Sequence, residues 1–136
     1  MRVGATLLLR RGLVYGLLGL VSELAWTGLR GRPRTSLWVL PVYGLAAPLF
    51  EPVHDRLRRR PAVLRGAAYS LGFSAVEYTS GRVFRRFRGE APWDYSHARV
   101  QVHGLVRADY VPLWGAYGLA LERVHDALES GGARRP

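Results

Sequence analysis

Four glutamates, Glu23, Glu51, Glu77 and Glu122, each interrupt a different apolar stretch of the chain. Two are followed three residues on by a histidine, in Glu51-Pro52-Val53-His54 and Glu122-Arg123-Val124-His125. A carboxylate in apolar surroundings is costly unless it is paired, protonated or bound to a cation. Inside a membrane span it points to a functional site. An i, i+3 spacing sets Glu and His on one helix face. In chain order the glutamates read as a lone Glu, a Glu-x2-His, a lone Glu and a second Glu-x2-His. That is the ligand set with which ferritin-like bundles hold two metals. Carboxylate and imidazole donors suit iron or manganese, so Glu51, His54, Glu122 and His125 are candidate metal ligands. Such a pair near lipid would activate oxygen to oxidise a membrane-soluble substrate.

Helices must position these residues, and four are expected: about 12–29, 37–54, 62–84 and 110–128. Thr35-Ser36 reads as the cap opening the second, and Pro61 stands just before the third. Met1 to Arg11 and Ser130 to Pro136 read as short basic tails. The connection from Arg88 to Val106 is polar and holds Pro92-Trp93-Asp94-Tyr95-Ser96. The uncharged runs fall below the ~18 residues that read as spans by length alone. The distribution of polarity carries more. Ser70, Ser74, Glu77 and Gly81 form a narrow small-polar stripe at helical spacing, with apolar residues on the other faces. A soluble surface helix shows the reverse, whereas an inward polar stripe fits helices packed in lipid. The expected fold is therefore all-α, a four-helix transmembrane bundle in a single domain, 1–136, with Trp26, Trp38, Trp93 and Trp114 near the interfaces. Arg10-Arg11 opens a retained first span rather than a cleaved signal, and the expected location is a bacterial inner membrane.

Composition removes much other chemistry. All 20 cationic residues are arginine, which excludes a P-loop lysine for a nucleotide and a Schiff-base lysine for pyridoxal phosphate. With no cysteine there is no disulfide, thiol nucleophile or Cys-ligated iron–sulfur cluster. The net charge of +10 lies in clusters between the apolar stretches, such as Arg56/Arg58/Arg59/Arg60. Those clusters suit anionic lipid head groups, and nucleic acid is not an expected partner. Arg65 and Arg82 read as ion-pair partners or snorkelling cations.

The chain also repeats itself. Tyr15 to Glu23 has the spacing of Tyr69 to Glu77. Later, Tyr43-Gly-Leu-Ala and Glu51-Pro-Val-His-Asp55 recur as Tyr117-Gly-Leu-Ala and Glu122-Arg-Val-His-Asp126. Two helix hairpins repeated in the same sense imply a pseudo-two-fold axis along the bundle. Register then counts against a single di-metal layer. About the turn at Pro33, Glu23 lies 10 residues before and Glu51 18 after, a height mismatch of roughly 12 Å. Two layers are indicated: Glu51 with Glu122, and Glu23 with Glu77. The second, with Ser74 and Thr79, reads as an ion or proton site.

Tyr43-Gly44, Val76-Glu77-Tyr78-Thr79-Ser80-Gly81, Trp93-Asp94-Tyr95-Ser96 and Gly104 resemble the CmpB-type family, labelled "Putative ABC-transporter type IV". Animal transmembrane protein 229 is similar as well, over Thr35 to Leu128; it shares the glutamates but not the two histidines. The resemblance implies a small multi-span membrane protein. Trp93, Asp94, Tyr95 and Ser96 are its motif residues, read as an ordered interfacial turn rather than a lid. The sequence has no nucleotide-binding motif, so an ATP-driven role needs another subunit. Three functions follow: handling of an ion or lipid through intramembrane glutamates, as a permease-like or accessory subunit or homodimer; a di-metal oxidoreductase; or a structural scaffold.

Overall fold

A computed structural model describes residues 2–133. Helix α1 runs Arg2–Leu29, 28 residues. It begins well before the expected start, because Ala5 to Leu9 contains only residues that tolerate helix and no stop signal. The end is a Schellman motif: Gly31 N–H donates to Gly28 O and Arg32 N–H to Thr27 O, both at 3.1 Å. Gly31 takes φ +116°, a conformation that a side chain would strain. The Thr27 hydroxyl accepts the Arg34 N–H at 2.7 Å, turning the chain back.

The expected second helix is two, α2 Val39–Gly44 and α3 Ala46–Leu57. Pro48 explains the break at Leu45. It has no N–H to offer the Gly44 carbonyl four residues back, and its ring crowds that carbonyl. The ladder resumes with Leu49 N–H to Leu45 O at 2.9 Å. Of the expected cap Thr35-Ser36, the Ser36 hydroxyl accepts the Trp38 N–H at 3.3 Å in the turn that leads into α2. Trp38 precedes α2 without a side-chain cap, while the Thr35 hydroxyl is drawn to the Glu23 carboxylate at 2.9 Å.

Helix α4 spans Ala62–Arg88 and α5 spans Val111–Ala133, the latter entered through a 3-10 turn, Ala108–Tyr110. So α5 runs past Ser130, where a tail was expected. The connection between them holds an antiparallel hairpin, β1 Gln101–Val102 and β2 Val106–Arg107, pairing Gln101 with Arg107. His103 (φ 52°) and Gly104 (φ 67°) make its turn, the two successive left-handed residues of a tight hairpin. Leu105 follows, fully buried. It sits over Gly81, where an added Cβ would lie 2.5 Å from its Cδ2. Among the described residues the fold is all-α apart from this hairpin.

The chain divides into two compact units, 1–49 and 50–136. In the first, α1 meets α2 closely enough that a Cβ on Gly19 would lie 2.0 Å from the Tyr43 ring. In the second, α4 and α5 pack antiparallel, and a Cβ on Gly118 would lie 2.5 Å from Tyr69. Both crossings use a glycine on one helix to admit a tyrosine of the other, as close helix packing demands. Among the described residues one helix, Gly4–Leu29, is long and apolar enough to cross a membrane.

Candidate functional site

The repeated Glu-x2-His-Asp runs meet in the second unit, in a crossed arrangement between α3 and α5. His54 Nδ1 lies 3.3 Å from Glu122 Oε1 and its Nε2 3.5 Å from Asp126 Oδ1. Reciprocally, His125 Nδ1 lies 3.2 Å from Glu51 Oε1 and its Nε2 3.0 Å from Asp55 Oδ1. Each imidazole thus faces the Glu and the Asp of the opposite helix. Helical periodicity explains this, since residues i, i+3 and i+4 share a face. The two rings sit edge to face at 5.4 Å, and both are buried.

Arginines brace this cross. Arg58 bridges Asp126 (2.8 Å) and Asp55 (3.2 Å) at its outer side, where both aspartates are half exposed. Arg65 holds Glu122 by two bonds of 2.7 and 3.1 Å, the bidentate fork that suits a guanidinium to a carboxylate. Tyr69, buried between α4 and α5, donates to Glu122 Oε1 at 2.7 Å and lies 3.0 Å from His54 Nδ1. Arg65 is therefore an ion-pair partner, as its sequence position implies.

Further along α4, Glu77 is buried and accepts from the Tyr95 hydroxyl at 2.8 Å and the Trp114 indole at 3.1 Å. An aromatic column links the two sites, from His54 over Phe50 (5.9 Å) and Phe73 (6.0 Å) to Trp114 (5.5 Å). The Trp93-Asp94-Tyr95-Ser96 segment is an ordered turn. Trp93 Nε1 donates to Leu105 O at 3.1 Å, and Tyr95 N–H to Gly104 O at 2.8 Å. The Ser96 backbone N–H and hydroxyl hold the Asp94 carboxyl below the usual carboxylate range. In the first unit, Glu23 accepts from Thr35 at 2.9 Å and from Tyr43 at 3.4 Å.

Some expected site members fall elsewhere. Thr79 is exposed, because two residues beyond Glu77 a helix has turned to another face. Ser74, one turn before Glu77, has a buried hydroxyl oxygen without a hydrogen-bond partner among the described residues. The iron or manganese set finds no counterpart: among the described residues, no group of three or more His, Asp or Glu side chains is placed to hold a metal ion. The ring nitrogens of His54 and His125 face carboxylates across the cross, so the donors meet each other instead of converging on one point. Asp55 and Asp126 are members that the Glu-x2-His pattern omits, although the repeated pentad contains both. Tyr69, Trp114 and Tyr95 carried no separate signal as donors to glutamate.

The sequence profile of the family described as "Putative ABC-transporter type IV" matches residues 13–132. No solved structure matches the chain.

Proposed function

Because the chain belongs to the family described as "Putative ABC-transporter type IV", we propose that it is an integral-membrane protein that handles an ion through its buried acidic and imidazole groups. It would act as a permease-like or accessory subunit of a transporter. One observation carries this reading. Among the described residues the buried polar side chains are Glu51, His54, Glu77 and His125, all ionisable, whereas Leu9, Leu13, Val21, Leu71, Val83 and Phe87 are exposed. Ionisable groups inside with large apolar groups outside reverses a soluble protein and matches helices in lipid. The proposed membrane segments are α1, the proline-broken α2–α3 segment, α4 and α5. The arginine-rich turns between these segments would meet anionic head groups, and their exposed apolar faces would meet lipid or a partner membrane subunit.

Glu77 is the residue most suited to the ion. Its buried carboxylate accepts from the Tyr95 hydroxyl and the Trp114 indole, which fix it in place. The test is reconstitution into liposomes with ion- and pH-sensitive dyes. Expected is a flux that Glu77→Gln abolishes while the protein still folds and resists alkaline extraction from membranes. Unchanged flux in Glu77→Gln, or extraction of the wild type by alkali, would overturn the reading.

A further inference from the structure

The turn between α1 and α2 is basic, apolar around its cations and pinned from within. The Thr27 hydroxyl donates to Glu23 O and accepts the Arg34 N–H, both at 2.7 Å. The Thr35 hydroxyl donates to the Glu23 carboxylate at 2.9 Å, and the Ser36 hydroxyl accepts the Trp38 N–H at 3.3 Å. These bonds hold the backbone that carries Arg32 and Arg34, both exposed. Glu23 is the single carboxylate side chain of residues 1–49, and it accepts from the hydroxyls of Thr35 and Tyr43. Among the described residues the guanidinium groups of Arg32 and Arg34 have no ion-pair partner. In the second unit Arg58, Arg65 and Arg107 are each bonded to a carboxylate.

Large apolar side chains stand in the open around these cations. Leu29 is 86 % exposed, Leu37 72 %, Trp38 47 % and Trp26 40 %. Arg30 lies over the Trp26 ring at 5.8 Å, within reach of a cation–π contact. Two guanidiniums without a countercharge suit a phosphate, whose oxygens accept their fork of donors. A free phosphate would leave the four apolar groups in water, and a bare hydrocarbon surface would leave the cations unanswered. A phospholipid answers both. Tryptophan and arginine together at the end of a span-length helix are also what the head-group level of a bilayer selects.

We propose that the α1–α2 turn is a docking site for an anionic phospholipid. Arg32 and Arg34 hold its phosphate, and Trp26, Leu29, Leu37 and Trp38 cover its glycerol and upper acyl carbons. The excess of positive charge at this turn selects a head group of net negative charge over a zwitterionic one. The site rests on the membrane reading above and deepens it, since it gives one turn a lipid preference of its own.

The experiment is native mass spectrometry of the delipidated full-length protein in detergent. The probes are phosphatidylglycerol, phosphatidylcholine with the same chains, and glycerol phosphate as an anion without chains. Phosphatidylglycerol is expected to be retained more strongly than either of the others. Arg32→Gln with Arg34→Gln should weaken it roughly 30-fold, at roughly fivefold per arginine, and phosphatidylcholine much less. Arg32→Lys with Arg34→Lys should restore part of the binding. Arg59→Gln with Arg60→Gln, at two exposed arginines of the α3–α4 turn, should leave phosphatidylglycerol unchanged. Equal retention of the two lipids, or full binding in the Arg32/Arg34 glutamine variant, would overturn the site. So would an equal loss in the Arg59/Arg60 variant, and glycerol phosphate bound as tightly as phosphatidylglycerol would overturn a lipid as the occupant. Resistance to alkaline extraction without a head-group preference would sink this site alone. Extraction by alkali with the preference intact would sink the integral-membrane reading alone.

Discussion

Along the antiparallel pair α4–α5, Glu122 is gripped by the Arg65 guanidinium at both oxygens and by Tyr69, whereas Glu77 accepts from the hydroxyl of Tyr95 and the indole of Trp114. From Arg65 to Glu77 is roughly 18 Å of helix. The difference teaches where each carboxylate takes its definition. At the Glu122 end a fixed countercharge keeps the carboxylate in one state and orients the histidine beside it. At the Glu77 end neutral dipoles set position, and the connecting turn supplies one of them.

The comparison predicts different costs of disturbance. The largest is Glu122→Gln, which leaves the half-buried Arg65 without its countercharge; a fall in melting temperature of about 10 °C is expected. Arg65→Met with Glu122→Leu removes both charges and should recover much of that loss, as thermal circular dichroism would show. Were Glu77→Gln to destabilise more than Glu122→Gln, the contrast between the two ends would be wrong. Next comes Gly81→Val, whose Cβ meets Leu105 and presses on the turn that delivers Tyr95. It should cost about 1–3 kcal/mol in chemical denaturation. Trp114→Phe keeps the stack on Phe73 and loses the bond to Glu77, a loss of about 1 kcal/mol by the same measurement.

Asp94 gives the smallest effect and a pH signature. The bonds from Ser96 lower its carboxyl in the folded protein, so its contribution is full above the ordinary carboxylate pKa of about 3.9. That contribution disappears as pH falls through the lowered value. Melting curves below about pH 4 should therefore fall less steeply for Asp94→Asn than for the wild type. Equal acid slopes would mean that the turn does not depend on the charge.

Much of the helical plan was readable, because period and punctuation are local. Pro61 before α4 and the glycine after Arg30 that ends α1 state their roles without tertiary context. The split at Leu45 was also implicit in Pro48, but three prolines in one segment leave the break undetermined until one carbonyl is seen to lose its donor. The hairpin at Val102 to Val106 gave little warning, since two-residue strands have no period and its turn uses a histidine at positive φ.

The sequence by itself determined that carboxylates and imidazoles would be embedded in apolar helices, that no lysine or cysteine chemistry was available, and that Glu-x-Val-His-Asp occurred twice. Tertiary structure alone decided what those groups do to each other. The i, i+3 and i+4 spacing fixes a helix face but not which side chains of the opposite helix it meets. That depends on how α3 and α5 meet, while the crossing of α4 and α5 at Gly115 and Gly118, where glycine lets backbones approach, sets the height of Arg65 against Glu122. The same four residues that spell a metal set in one dimension thus become two histidines, each paired with the other helix's carboxylates, in three.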